Sequence, residues 1–223
     1  MATGLRQRQK NDRSKRILEI ARKRFQTQGY DAVTIDSIAA EASLSAVTVY
    51  NYYGSKPGLL LALVKESDVR LIAQLQSLID DLPDDIRDAV ARFGHIMRCH
   101  ALKYLTKPTW RQVLAASIID GNANFGRTYV ALDEVLIRLM SELAAIYQTR
   151  GSLISTIDPN IFGSTLFGMQ NMRFFQFITD DALDDAQVDT LFRCDLEVIF
   201  TAKIKDPDLQ LAAVRDHNQR RNA

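Results

Sequence analysis

Few side chains in this chain could do bond-breaking or metal chemistry, and their spacing narrows what they can do. There are three histidines, His95, His100 and His217, and two cysteines, Cys99 and Cys194. On a helix of 3.6 residues per turn, His95 and His100 project about 140° apart and cannot clamp one ion side by side. His95 and Cys99 are four apart, share a face with Arg92 and could form a metal pair, but no further ligand stands at a telling spacing. There is no G-x-S-x-G, glycine-rich phosphate loop or paired-carboxylate cluster. The acidic run Asp180, Asp181, Asp184 and Asp185 is read as a solvated capping loop. The chain is therefore expected to be no enzyme and to need neither metal nor cofactor. The chemistry the residues do offer is recognition. In the octapeptide Ala46–Tyr53, an Ala46-Val47 pair suits apolar contact with thymine methyls, and Asn51 can hydrogen-bond a base edge or a phosphate. Thr48, Tyr50 and Tyr52 can offer hydroxyls to phosphate oxygens.

Those groups are useful only if helices hold them. A first helix is expected from about Asp12 to Thr27, with Ile17, Leu18, Ile20, Ala21 and Phe25 on its apolar face. Lys15, Arg16, Arg22, Lys23 and Arg24 cover the opposite face, and Gly29 lets the chain leave it. Thr34 is a good cap for a second, short helix, with Asp36 complementing its dipole. Ile35, Ile38, Ala39 and Ala42 bury one side of that helix. Ser43-Leu44-Ser45 forms the turn, with Leu44 plugging the gap and Ser45 capping the third helix. Val49 and Tyr53 then face inward, leaving Ala46, Val47, Tyr50 and Asn51 outward. Gly54 ends this helix, and Ser55 caps the next. Lys56 stands at that helix's start, where backbone N–H groups and a cation suit a phosphate.

Three short helices with this order and spacing form a helix-turn-helix. The pattern Thr34, Ile38, Ala39, Ala42, a small turn, then Thr48, Tyr50, Tyr52, Tyr53, Gly54, Ser55 and Lys56 resembles the DNA-binding head of the TetR family of bacterial repressors. Leu44 stands where such families usually carry Gly, and Pro57 where they often carry an acidic residue. Beyond about Lys65 the resemblance rests on length and helical layout. It implies a DNA-binding head at 1–55, including a basic N-terminal arm, and a helical effector-binding and dimerisation body at 56–223. Short tyrosine-rich helices can also be simply packed; here several independent positions agree.

Charge supports the division. The whole chain has 28 Lys+Arg against 27 Asp+Glu, a formal net charge of +1. Through Lys65 eleven cations face five anions, a net of +6, so the remainder carries −5. A basic head on an acidic body suits phosphate attraction at one end. The stretch Met1 to Lys10 is polar and basic without apolar periodicity, and reads as disordered when alone: an arm against DNA, or an untethered tail. No signal peptide or membrane-length apolar run is found, and the two cysteines fit reduced thiols, so a cytoplasmic protein with no membrane partner is expected.

The body reads as helices to its end, about nine in all with no convincing strand, hence all-α. Breaks fall at Leu82-Pro83, Leu105, Gly121, Gly151, Asp158-Pro159, Thr179 and Asp206-Pro207. On the helix from Pro159 to Thr179, Phe162, Leu166, Met169, Arg173 and Phe177 form one stripe, and Phe167, Asn171 and Phe174 another. Gly163, Ser164 and Gly168 would admit another helix closely. The last helix, with Val188, Leu191, Phe192, Leu196, Val198, Ile199 and Phe200, has similarly broad apolar coverage. The pair could build a four-helix bundle across a two-fold axis, and the resemblance implies the same homodimer. Burial of both helices inside a monomer is the other reading. The resemblance also implies a ligand cavity among the helices carrying Trp110, Phe125, Tyr129, Phe162 and Phe167. Arg111, Asn122, Asn124, Arg127, His100 and Asn171 are the polar groups near them in sequence, although aromatics at such spacing also serve as plain core. The expected function is a ligand-responsive, sequence-specific DNA-binding regulator, a repressor released from a palindromic operator on double-stranded DNA by a small molecule. An effector-free architectural or interaction protein with the same head is the alternative.

Overall fold

The computed structural model describes residues 2–120 and 124–201, with side chains from 7 to 119 and from 125 to 201. Among the described residues there are nine helices and no strand. They are α1 (Ala2–Gln28), α2 (Ile35–Glu41), α3 (Ala46–Tyr53), α4 (Lys56–Asp80) and α5 (Ile86–Tyr104), followed by α6 (Lys107–Asp120), α7 (Asn124–Thr149), α8 (Pro159–Thr179) and α9 (Asp185–Thr201). No described helix is long and apolar enough to cross a membrane. The breaks read from the sequence near Gly121 and Asp206-Pro207, the polar end of the chain, His217 and Asn122 lie outside the described residues.

α1 begins about ten residues earlier than its apolar periodicity predicts. Gln7, Arg8, Gln9 and Lys10 are good helix formers, so they extend a helix already anchored downstream. Gln7 Nε2 donates to Asn11 Oδ1 at 3.1 Å, and the Tyr52 hydroxyl donates to the Lys10 carbonyl at 3.3 Å. From Ala2 onward the expected basic arm is therefore a helical extension.

The head has no core of its own that stops at residue 55. Ile17, Phe25, Ile38 and Val49 pack with Leu59 and Leu60 of α4, all without solvent exposure. The same cluster continues through Ala101, Leu105, Trp110, Phe174 and Ile178 of the body. A second cluster joins the far half of α4 to α5, α7, α8 and α9. Each fully buried Leu, Ile or Phe contributes roughly 1.5–3 kcal/mol relative to exposure, so α4 is bound firmly to both ends. Such a helix can carry a displacement from body to head.

Within the body, α7 and α8 cross closely at a glycine. A Cβ on Gly163 would fall 2.5 Å from the Ser141 Cα, so no larger residue fits there. The close approach expected of Gly163 is thus made inside the chain. The two stripes read on α8 are likewise used internally, with Leu166, Phe167, Phe174 and Phe177 buried and Arg173 paired to Asp195 at 2.6 Å. A third stripe is left open: Ile161, Ser164, Gly168, Met172 and Phe175. On α9, Val188, Phe192 and Leu196 are buried, whereas Leu191, Val198 and Ile199 are exposed. α5 and α9 are also joined by a buried cation. Arg98 has no exposed surface and donates to Asp185 at 2.6 Å and Asp189 at 3.2 Å.

Candidate nucleic-acid interface and effector cavity

Local hydrogen bonds set the recognition helix. Thr34 Oγ1 accepts from the Ser37 N–H at 3.1 Å, and Ser37 Oγ accepts from the Thr34 N–H at 3.3 Å, a reciprocal cap on α2. The tight turn is made at Ser43, whose φ is 55°; Leu44 has no left-handed backbone, and this turn does not need the family's glycine there. The half-buried Leu44 instead packs into the head core as expected. Ser45 Oγ accepts from the Thr48 N–H at 3.2 Å and starts α3.

From that start, Val49 turns fully inward, and Val47 and Tyr50 are left 67% and 47% exposed. Asn51 is exposed as well. Ala46, expected to face outward, is half-buried against the core, because it follows the cap on the side where Leu44 closes the turn. The three hydroxyls differ. Thr48 Oγ1 lies 2.9 Å from Ser45 Oγ, and the Tyr52 hydroxyl is spent on the Lys10 carbonyl. Among the described residues Tyr50 is the one of the three whose hydroxyl has no protein partner. The Tyr53 hydroxyl donates to the Ser14 carbonyl at 3.1 Å and clasps α1 to α3.

Lys56 is less free than a helix-start cation would be. Its ammonium sits 4.2 Å from the centre of the Tyr30 ring and 3.4 Å from the Asp31 carbonyl oxygen. Partial burial pushes its pKa down, with Asp31 opposing. Tyr30 was not legible as its partner, because nothing in a linear spacing marks a loop residue 26 positions away. Gly58 is a second residue the spacing did not flag. A Cβ there would fall 2.0 Å from the Tyr53 carbonyl oxygen, so the α3–α4 corner closes only over a glycine.

The body encloses a narrow cavity of about 40 Å³ between α4, α5, α6, α7 and α8. That is room for a few water molecules. Of the five residues expected to bind a ligand, Trp110, Tyr129 and Asn171 line it. Phe125 and Phe167 do not; they fill the two apolar clusters on either side. Trp110 is held by its indole N–H donating to the Ala101 carbonyl at 2.9 Å and by an edge contact with Phe174. His100 also lines the cavity, while Arg111 turns away to Asp181 and the Ile178 carbonyl. Arg127 is exposed, Phe162 packs edge-on against Phe200, and the Asn124 side chain lies outside those described.

The sequence reading found no paired carboxylates, yet the fold makes a pair: Asp68 of α4 and Asp133 of α7 both line the cavity. Burial pushes Asp68 up to about 6. Burial, and then the Asp68 charge, pushes Asp133 up to about 7. The Tyr129 hydroxyl is raised by burial first and by both carboxyls after it. Sixty-five positions and two helices separate the pair, so no motif could reveal it. Likewise, the fold supplies a third group beside His95 and Cys99, with Asp185 placing one oxygen 2.6 Å from His95 Nδ1. Its other oxygen is held by Arg98, so this cluster is an ion-pair junction.

An all-α chain with a capped helix-turn-helix at one end and a cavity in a helical body defines a class by its fold, the helix-turn-helix proteins with a helical body. Residues 17–63 match the family model described as bacterial regulatory proteins, tetR family. Over those residues the chain is similar to that family. It is 28% identical over 82 residues to the HTH-type transcriptional regulator EthR of Mycolicibacterium smegmatis. That match spans 37% of this chain and 38% of EthR. Among solved structures, a TetR-family transcriptional regulator from Pectobacterium atrosepticum superposes with a TM-score of 0.68 at 22% identity, covering 91% of this chain and 98% of that one. Thermus thermophilus FadR, a TetR-family repressor in complex with lauroyl-CoA, superposes with a TM-score of 0.67 at 17% identity over 87% of this chain and 97% of that one. At these identities the likeness concerns the fold.

Proposed function

We propose that this chain is a homodimeric, ligand-responsive transcriptional regulator, a repressor that a small molecule releases from a palindromic operator. The observation that carries the reading is the outward edge of α3. Val47, Tyr50 and Asn51 are exposed on a capped helix whose other side is locked by Val49, at the end of the molecule carrying the positive charge. Thr34, Ser45, Thr48 and Lys56 surround that edge and are assigned to the phosphate backbone, with Ala46 and Tyr52 in supporting, partly packed roles.

Two-fold symmetry comes from the open faces of α8 and α9. Met172 and Val198 are 58% and 65% exposed, and Gly168 leaves room for close approach. Pairing these faces across an axis gives a four-helix bundle and sets two heads about one helical turn, ~34 Å, apart. Residues 1–55 read the DNA and 56–223 bind effector and partner, with the first turns of α4 shared between them.

Coupling has a physical route besides α4. In the cavity wall, the His100 ring stacks on Tyr104 at 4.7 Å. Gln26 of the head donates to the Tyr104 carbonyl at 2.9 Å, and Arg22 lies over the Tyr104 ring. A ligand that displaces His100 moves the α5 terminus against α1 and shifts the population of head spacings. It does so only to the extent that it binds the two arrangements unequally. A second reading, an effector-free DNA-binding protein, draws on the small volume of the cavity. Thermal-shift screening with metabolite mixtures separates the two, since no stabilisation by any pool favours the effector-free protein. The parent proposal is tested by selecting bound fragments from random duplexes. A palindrome recovered with one dimer per site is the expected result; a monomeric protein, or indifference to duplexes at low salt, overturns it.

A further inference from the structure

We propose that the body cavity is built for a cationic ligand, an ammonium group on an apolar skeleton, seated between Asp68 and Asp133 against aromatic rings. The inference rests on reading the body as an effector site and names the effector's chemical class. Neither carboxyl has an arginine or lysine within ion-pair distance among the described residues. Elsewhere the chain pairs its partly buried carboxylates freely, as at Arg98–Asp185 and Arg173–Asp195. Among the described residues no arginine or lysine lines the cavity.

An independent observation points the same way. His100 is 5% exposed, and its Nδ1 lies 3.2 Å from Gln74 Oε1, an acceptor. Its Nε2 is the one buried side-chain polar atom without a hydrogen-bond partner among the described residues. Two carboxyls, with the unpartnered imidazole nitrogen beside them, make a cavity wall that calls for a polar or positively charged group. Trp110, Phe174 and Tyr129 add ring faces and edges, and aromatic walls beside carboxylates suit quaternary and protonated amines. An anionic headgroup would meet two carboxyls and no cation, so the cavity disfavours fatty-acid and phosphate ligands.

Entry of a cation lets the two carboxyls ionise and release their protons to solvent. Affinity for a fixed-charge cation therefore rises with pH between about 6 and 8. The titratable groups around the pair are His100, kept neutral by burial with Lys103 and Arg70 nearby, and Tyr129, which stays protonated; α6 and α8 contribute Trp110, Phe174 and Asn171.

The test compares three small probes on the purified full-length protein: tetramethylammonium, the uncharged tert-butanol of the same size and shape, and acetate. Calorimetry at pH 6 and pH 8 should show the cation binding at least ~10-fold tighter than the isostere, with the gap widening at pH 8 and acetate weakest. An Asp68→Asn/Asp133→Asn protein, checked for fold by circular dichroism, should lose the preference for charge while still binding tert-butanol. The proposal is overturned if the cation fails to bind at millimolar concentration, binds no better than its isostere, or keeps its advantage in the double variant. Duplex affinity measured alongside separates the two readings. Selective cation binding that leaves duplex affinity unchanged supports the cation site and defeats the regulatory reading. Release of the duplex by acetate but not by the cation supports regulation and overturns the cation site.

Discussion

Replacing Asp133 by Asn should stabilise this protein at pH 8 and do much less at pH 5. Asp133 is pushed up to about 7, first by burial and then by the Asp68 charge. The folded state therefore binds more protons than the unfolded chain between the ordinary carboxyl pKa of 3.8 and 7. Stability is fully present below the unfolded value and is lost as pH rises through the folded one. Over the roughly two pH units from 5 to 7 the loss amounts to about 2.7 kcal/mol at 1.36 kcal/mol per unit. An asparagine keeps the shape and cannot ionise, so the variant escapes that loss. For a chain of this length, about 2–4 °C accompanies each kcal/mol, which places the variant roughly 5–10 °C higher in Tm relative to wild type at pH 8 than at pH 5. Scanning calorimetry or circular dichroism melts at both pH values, at one protein concentration, provide the measurement. If the difference between Asp133→Asn and wild type is the same at pH 5 and pH 8, the carboxyl is not an unpaired buried acid, and the reasoning about the cavity fails with it.

Other expected outcomes concern the head, the dimer and their connection. Lys56→Ala should weaken binding to all duplexes alike and flatten the salt dependence by about one unit of log–log slope; an unchanged slope would remove its phosphate role. Gly58→Ala should destabilise the head by several-fold in the folding equilibrium, read as a lower melting temperature and lost duplex binding, because its Cβ collides with the Tyr53 carbonyl; a normal melt would mean the α3–α4 corner can shift. Gln26→Ala should leave duplex affinity nearly intact while cutting the ligand's effect on it, and an undiminished response would exclude the Tyr104 route. Met172→Asp on the open α8 face should shift the protein to monomer in sedimentation and lower duplex affinity by at least ~10-fold; a dimer that survives it would place the interface elsewhere.

Much of this architecture is local and was therefore legible in the chain. Helix boundaries follow from caps, glycines and prolines within a few residues of one another, and Thr34, Ser45 and Ser55 each cap the helix expected. The inward turn of Val49 and the exposure of Val47 follow from a period of 3.6. Periodicity could not tell which apolar stripe of α8 meets its own chain and which stays open. Both are apolar, and the choice is made by where α7 crosses at Gly163. Nor could it show that Tyr52 and Lys56 are engaged by Lys10 and Tyr30, since those contacts span 42 and 26 positions.

The sequence by itself determined an all-α chain, its helix-turn-helix and the charge division between head and body, because hydrogen bonding within helices and capping act over one or two turns. Only the tertiary structure decided that Asp68, His100 and Asp133, on three helices, share one desolvated wall. Electrostatic environment depends on distance in space and on exclusion of water, and neither is written in spacing along the chain.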